Sequence, residues 1–227
     1  MRGRTALVTG ANRGIGLAVA RELHDRGLRR VVLTGRDGAA VADAAAEIGP
    51  RATAYRLDVT DPDDVEEAGK QLAPVDVLVC NAGVLLDAGT DPLDTPLDLV
   101  ETTLRINLLG AWRVLQTFLP PMIEQGWGRV VLVSSGTTAE FGGALFTGAP
   151  GYSLSKSALN GLTTMVAART VGTGVLVNAV NPGRVRTRMM PTQQTPPEVA
   201  ARFIADVATL PDGGPTGHFL TERRGSD

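Results

Sequence analysis

Apolar and polar positions along the chain follow two alternating rhythms. Short β-branched runs read as strands: TALVT (5–9), VVLT (31–34), ATAYRL (52–57), VDVLVC (75–80), RVVLVS (129–134), VLVNAV (175–180) and HFLT (218–221). Most are apolar at consecutive positions, as strands buried on both faces of a parallel sheet require. Longer stretches with helical spacing lie between them. In the first, Ile15, Val19 and Leu23 fall on one stripe of a helix over 15–26. Further helices are predicted over 39–48, 62–72, 96–124, 151–170 and 197–209, and Pro120-Pro121 is expected to kink or end the longest. Alternation of this kind, with right-handed crossovers, predicts one α/β domain over residues 1–227. Its architecture is a doubly wound parallel sheet of about seven strands with helices on both faces. No repeat, linker or low-complexity tract interrupts it.

Composition narrows the function classes. Hydrophobic residues make up 43% of the chain and aromatics only 4%, so the core must be built from Ala, Val, Leu and Ile. With 22 basic against 24 acidic residues, no global field attracts nucleic acid or an anionic membrane surface. Cys80 is the only cysteine, which excludes an internal disulfide and fits a reducing, cytoplasmic location. The N-terminal apolar run is too short for a signal peptide, and no stretch approaches a membrane span. His24 and His218 stand apart in the sequence, so no metal site is expected.

Candidate chemistry begins at the first strand–helix junction. TALVTGANRGIGLAVA carries Gly10, Gly14 and Gly16 in a T-G-x-x-x-G-x-G pattern. Glycines let the backbone turn sharply and approach a pyrophosphate, while the helix N-terminus offers free N–H groups and partial positive charge. The second strand then ends in Thr34-Gly35-Arg36, where NAD-preferring sheets usually place a carboxylate against the ribose 2′-hydroxyl. Arg36, with Arg13 from the glycine loop, predicts a grip on the 2′-phosphate of NADP instead. Each guanidinium would contribute about 1.5–3 kcal/mol through charge-assisted hydrogen bonds.

A tyrosine stands one helical turn before a lysine in GYSLSKSALN (151–160), although the chain holds only two of each. Other polar motifs follow strand ends: Asp58-Val59 after the third strand, Asn81-Ala82-Gly83 after the fourth, Ser134-Ser135 after the fifth and NPGRVRT (181–187) after the sixth. In open α/β sheets, ligands bind beyond the carboxyl ends of the strands, so these segments converge on one crevice.

Taken in order, the motifs resemble the short-chain dehydrogenase/reductase family over nearly the whole chain. They run from Thr9 to Gly16, then Asp58-Val59, Asn81 to Gly83, Asn107, Ser135, Tyr152 with Lys156, and Pro182-Gly183. The resemblance implies a Rossmann-type fold and a nicotinamide cofactor. Its cofactor contacts would come from Gly10, Asn12, Arg13, Gly14, Ile15, Gly16 and Arg36 at the phosphate end, and from Asp58 and Val59 at the adenine. Asn81, Ala82 and Gly83 would line the middle of the cofactor, Pro182 and Gly183 would also contact it, and the backbone of Val185 and the hydroxyl of Thr187 would hold the carboxamide. Tyr152 would be the general acid that protonates a substrate carbonyl oxygen, with its pKa lowered by the Lys156 ammonium alongside the oxidised nicotinamide ring. Lys156 would also bind the ribose hydroxyls, a double task that suits a compact ammonium better than a planar guanidinium. Ser135 would hydrogen-bond the developing oxyanion. Asn107 would hold a water linking Lys156 to solvent.

The stretch from Ser135 to Tyr152 exceeds the family's commonest spacing, and RMMPTQQTPPEVA after Thr187 is short and proline-broken. The C-terminal segment resembles the carbonyl-reductase-like branch. Phe141, Leu145, Phe146, Met189 and Met190 are expected to form an apolar pocket for a ketone or aldehyde. The small-residue helix SALNGLTTMVAA suits close packing in a homodimer or homotetramer. The longer segment before Tyr152 could obstruct that, leaving a monomer open. The function expected is NADPH-dependent carbonyl reduction. The alternatives are an NADP-linked secondary-alcohol dehydrogenase acting on a natural product or sugar, and a non-catalytic NADP-binding sensor or scaffold.

Overall fold

A computed structural model describes residues 1, 3–138 and 145–222. Seven parallel strands form one sheet in the order β3-β2-β1-β4-β5-β6-β7. They are β1 (Thr5–Val8), β2 (Arg30–Gly35), β3 (Ala52–Arg56), β4 (Val77–Cys80), β5 (Gly128–Val133), β6 (Val175–Asn181) and β7 (Phe219–Thr221). Each lies within or against the run that its apolar pattern marks.

Helices cover both faces, and the strands' alternate side chains feed two separate cores. On one face α1 (Gly14–Asp25), α2 (Gly38–Ile48) and α7 (Pro197–Ala208) pack on Val8, Val31, Leu33, Val79 and Val131. On the other, α3 (Pro62–Leu72), α5 (Ala111–Glu124) and α6 (Pro150–Arg169) pack on Leu7, Val32, Leu78, Leu132 and Val177. Consecutive residues of one strand therefore serve different cores, which is why the strands read as unbroken apolar runs. Strand order reverses between β1 and β4, and the topological switch point opens a crevice at their carboxyl ends.

The long helical stretch predicted over 96–124 departs in detail. It consists of α4 (Leu97–Leu104), a π-helical turn (Arg105–Gly110) and α5. Pro120 and Pro121, expected to kink or end it, lie inside α5, which continues to Glu124. Each forfeits only its own N–H bond in the last turns of the helix, and Phe118, Leu119 and Met122 anchor that end by burial. The irregularity sits upstream instead, at the π turn carrying Asn107.

Beneath the sheet, away from the crevice, Arg129 is 1% exposed and satisfies the carbonyls of Gly128, Gly174 and Leu210. Its guanidinium and that of Arg4 both stack on Trp127, 4.3 and 3.8 Å from the ring centroid. This cluster closes the amino-terminal edge of the sheet and takes no part in the crevice.

Candidate active site

The crevice is a cleft of about 840 Å³ whose walls come from the segments after β1, β2, β3, β4, β5 and β6. At its phosphate end the backbone after β1 turns through Gly10 (φ +64°) and Gly14 (φ +58°), a conformation that favours glycine. Gly16 has a different reason to be glycine. A Cβ there would stand 2.5 Å from Asn81 Nδ2 and within forbidden contact of the Gly10 carbonyl oxygen. Asn81 Nδ2 donates to the carbonyls of Thr9 and Gly10, both at 3.0 Å, and Thr9 Oγ1 accepts from the backbone N–H groups of Asn81 and Ala82. The side chain of Asn81 thus props the glycine loop, while Gly10, Asn12, Arg13, Gly14, Ile15, Ala82 and Gly83 line the cleft.

At the outer end Arg36 and Arg13 are both exposed on the cleft wall, and neither makes an ion pair among the described residues. The neighbouring carboxylate, Asp37, caps α2 by accepting from Ala40 N–H at 3.1 Å. Asp58 and Val59 lie opposite. Burial raises the Asp58 pKa, but hydrogen bonds from Thr60 and the charges of Arg36 and Arg56 outweigh it, so its carboxyl titrates below the usual range.

Tyr152 and Lys156 enter the cleft from the first two turns of α6. Lys156 is 4% exposed, and its Nζ donates to the Val133 carbonyl at 2.8 Å. Burial pulls its pKa down to about 8, and the nearby Cys80 sulfur works slightly against that. The same burial pushes the Cys80 thiol up to about 12, so it stays protonated and unreactive at neutral pH.

The expectation for Tyr152 needs correction. Its pKa is raised: desolvation dominates, opposed by hydrogen bonding with Ser135 rather than by Lys156. The ammonium lies 5.7 Å from the tyrosine ring centroid, and its hydrogen bond goes to the Val133 carbonyl.

Ser135 Oγ accepts from Thr137 N–H and Thr137 Oγ1, both at 3.2 Å. With its lone pairs engaged this way, its own proton is left to donate. Asn107, buried in the π turn, uses both ends of its amide. Its Oδ1 accepts from Val84 N–H at 2.8 Å, and its Nδ2 donates to the Val84 carbonyl and to Ser155 Oγ. Ser155 Oγ in turn donates to the Tyr152 carbonyl at 2.7 Å. The side-chain donors of Asn107 are therefore spent on protein partners, which restricts any water it holds to its oxygens. Gly83 separates Asn107 from Lys156: a Cβ there would lie 3.2 Å from Asn107 Oδ1 and 3.5 Å from Lys156 Nζ.

Past β6, Pro182 and Thr187 line the cleft, and Thr187 approaches Gly14. Gly183 (φ +77°) shapes the turn, and Val185 is buried, bridged to Thr195. Neither lines the cleft, so any part they play there is through backbone.

The five-residue substrate pocket is not assembled as expected. Met189 lines the cleft, but Leu145 and Phe146 line a separate apolar groove of about 230 Å³ with Pro92 and Leu154. Met190 is half-buried behind a turn closed on Thr187, and Phe141 lies outside the described residues. The apolar wall that does face Tyr152's cleft comes from Leu85 and Leu86, in the segment after β4. Periodicity could not flag them, because that segment is neither strand nor helix.

The family model for short chain dehydrogenases matches residues 4–198. This chain is a short-chain dehydrogenase. It is similar to the oxidoreductase UcpA of Escherichia coli strain K12, with 35% identity over 220 residues spanning 92% of this chain and 80% of UcpA. An NADPH-dependent aldehyde reductase-like chloroplastic protein of Arabidopsis thaliana is 31% identical, covering 91% of this chain and 81% of that one. Among solved structures, a metagenomic short-chain oxidoreductase in complex with NADP superposes with a TM-score of 0.82 at 30% identity, covering 97% and 98% of the two chains. As a short-chain dehydrogenase the protein is an oxidoreductase that binds a nicotinamide cofactor. The positive-φ glycines, the close-packed Gly16 and the length of the cleft fit such a molecule, with its phosphates at the glycine loop. Among the described residues, no helix is long and apolar enough to cross a membrane.

Proposed function

We propose that this short-chain dehydrogenase is an NADPH-dependent reductase of ketones or aldehydes, of the carbonyl-reductase-like branch. The observation that carries the reading is the pairing of Tyr152 and Lys156 at one end of a cleft whose other end presents Arg13 and Arg36, with Ser135 acting on the phenol. When bound, the nicotinamide supplies hydride to the carbonyl carbon. Tyr152 gives its phenolic proton to the carbonyl oxygen. Burial keeps that proton in place at neutral pH, which suits a general acid. Ser135 donates its free O–H to the same oxygen as negative charge develops. Lys156 holds the ribose hydroxyls and offers a proton source beside the phenol. Arg36 and Arg13 take the 2′-phosphate, since Asp37 is committed to α2. Leu85, Leu86 and Met189 favour an apolar substrate body. NADPH oxidation with a panel of ketones and aldehydes, 4-nitrobenzaldehyde among them, tests the reading. Tight NADP binding with no turnover of any carbonyl or alcohol would instead mark a sensor or scaffold.

Arg36→Ala is expected to weaken NADP by about 10- to 150-fold while NAD changes little, because one charge-assisted phosphate contact is worth about 1.5–3 kcal/mol. Fluorescence titration of both nucleotides reads this out, and equal losses for the two would contradict the phosphate grip.

Cofactor affinity also carries a pH signature. Lys156, with its pKa lowered to about 8, is an ammonium below that value and a neutral amine above it. The Kd for NADPH should therefore be flat from pH 7 to 8 and rise by up to about tenfold per unit beyond. Lys156→Met should bind weakly with no such inflection. A wild-type profile flat to pH 9.5 would sink the ribose contact.

Association through α6 belongs to the same proposal. Leu154 (49% exposed), Met165 (62%), Ala158 and Gly161 form one uncovered stripe suited to a second copy. Sedimentation showing only monomer at micromolar concentration would exclude it.

A further inference from the structure

Helix α6 carries both Tyr152 and Lys156, and its first turn lacks the means to satisfy itself. The residue before it, Ala149, has no side-chain acceptor, and Pro150 has no N–H. Ser153 N–H reaches the Ala149 carbonyl at 2.9 Å. That leaves the N–H groups of Gly151 and Tyr152, and an unsatisfied helix terminus is unstable when buried.

Both go to one oxygen of a residue far away in sequence. Asp87 Oδ2 accepts from Gly151 N–H at 2.5 Å and from Tyr152 N–H at 3.3 Å. Asp87 is 0% exposed, and its other oxygen, Oδ1, is buried with no hydrogen-bond partner. A buried carboxylate with a spare oxygen is a costly group to keep for cohesion alone. Position 151 is shaped around it: a Cβ there would lie 3.0 Å from Asp87 Oδ2 and 3.1 Å from Val100 Cγ2.

The carboxylate belongs to the segment that also walls the cleft. Val84 is pinned by Asn107, Leu85 and Leu86 face the cleft, and Gly89 N–H bonds the Gly148 carbonyl at 2.7 Å just before α6. Tyr152 is therefore held at both ends of its peptide unit, its N–H by Asp87 and its carbonyl by Ser155, which Asn107 holds in turn.

We propose that Asp87 is a positioning residue for catalysis: its carboxylate caps α6 from the cleft-wall segment and sets where the Tyr152 phenol meets a substrate. The inference rests on the carbonyl-reductase reading for its kinetic arm only. A shift on the order of 1 Å in a reacting group can cost about 10²-fold in rate without touching cofactor contacts.

The test uses the full chain, with amide hydrogen exchange, NADP titration and steady-state reduction of 4-nitrobenzaldehyde by NADPH. In Asp87→Ala, exchange at residues 151–153 should quicken at least about tenfold while β5 keeps its protection, because the cap acts locally. NADP Kd should stay within about twofold of wild type and kcat should fall about 10- to 100-fold, with KM little changed. Asp87→Asn keeps an acceptor oxygen, and it should restore exchange protection and bring kcat back to within about threefold. Unchanged exchange and kcat in Asp87→Ala would overturn the proposal. So would a stable Asp87→Asn with normal exchange protection but kcat as low as that of Asp87→Ala. If wild-type protein reduces no carbonyl, the carbonyl-reductase reading fails alone, and the exchange comparison still decides whether Asp87 holds the helix.

Discussion

Tyr152→Phe is expected to lower carbonyl reduction by about 10²–10⁴-fold while leaving NADP affinity within about threefold of wild type. The substitution removes one oxygen and keeps the ring, so the packing of the first turn of α6 is preserved. What it removes is the proton that must reach the carbonyl oxygen as hydride arrives at carbon. Without it, the developing alkoxide has only the Ser135 hydroxyl, whose lone pairs are already taken by Thr137. Ser135 and the bound cofactor would still stabilise part of the charge, so a residual rate above the uncatalysed one is expected. Stopped-flow decay of NADPH absorbance under single-turnover conditions isolates this step from product release. A Tyr152→Phe rate within a factor of about five of wild type would remove the phenol from the mechanism, because general acids of this kind contribute at least about 10²-fold.

The second large effect is expected at Gly16. Its Cβ position is occupied on two sides, by the Gly10 carbonyl and by Asn81 Nδ2 at 2.5 Å. Alanine there must displace the loop backbone or break the Asn81 prop, and the prop's two 3.0 Å hydrogen bonds to Thr9 and Gly10 are what hold the loop's shape. We expect Gly16→Ala to lose about 1–3 kcal/mol of stability through strain in a packed site. We also expect it to weaken NADP and NAD alike by about a hundredfold, because the N–H groups that meet the pyrophosphate move together. Thermal unfolding and nucleotide titration measure the two losses separately. Equal weakening of both nucleotides distinguishes this site from Arg36, which should discriminate between them. Wild-type affinity in Gly16→Ala would mean that the loop geometry does not govern cofactor binding.

Much of the fold was legible because burial on both faces writes itself into local sequence. The runs at 31–34, 129–134 and 175–180 are apolar at most consecutive positions, and each became a strand within a residue or two of its predicted bounds. The glycine loop was legible for a similar reason: its backbone demands are met residue by residue, and only glycine meets them at Gly10 and Gly14. The pairing of Tyr152 with Lys156 needed only the period of a helix.

Other parts were not legible, and each failure has a cause. The π turn at Asn107 lies inside an unbroken helical pattern, because a one-residue widening leaves little trace in periodicity. The apolar pocket drawn from Leu145, Phe146 and Met190 failed because residues near Tyr152 in sequence need not face its phenol. Burial set the Tyr152 pKa against the expected direction, and the extent of burial is a property of the packed molecule.

The chain alone determined the order of strands and helices, the two-sided cores, the glycine loop and the helical pairing of Tyr152 with Lys156. Each of these depends on a residue and its near neighbours, through turn geometry, helical period or side-chain chemistry. Only the tertiary structure decided that Lys156 donates to the Val133 carbonyl, that Asn81 serves the loop, and that a carboxylate 64 residues away closes the first turn of α6. Those arrangements depend on distances between segments that touch only once the sheet has formed, and no local pattern encodes such a distance.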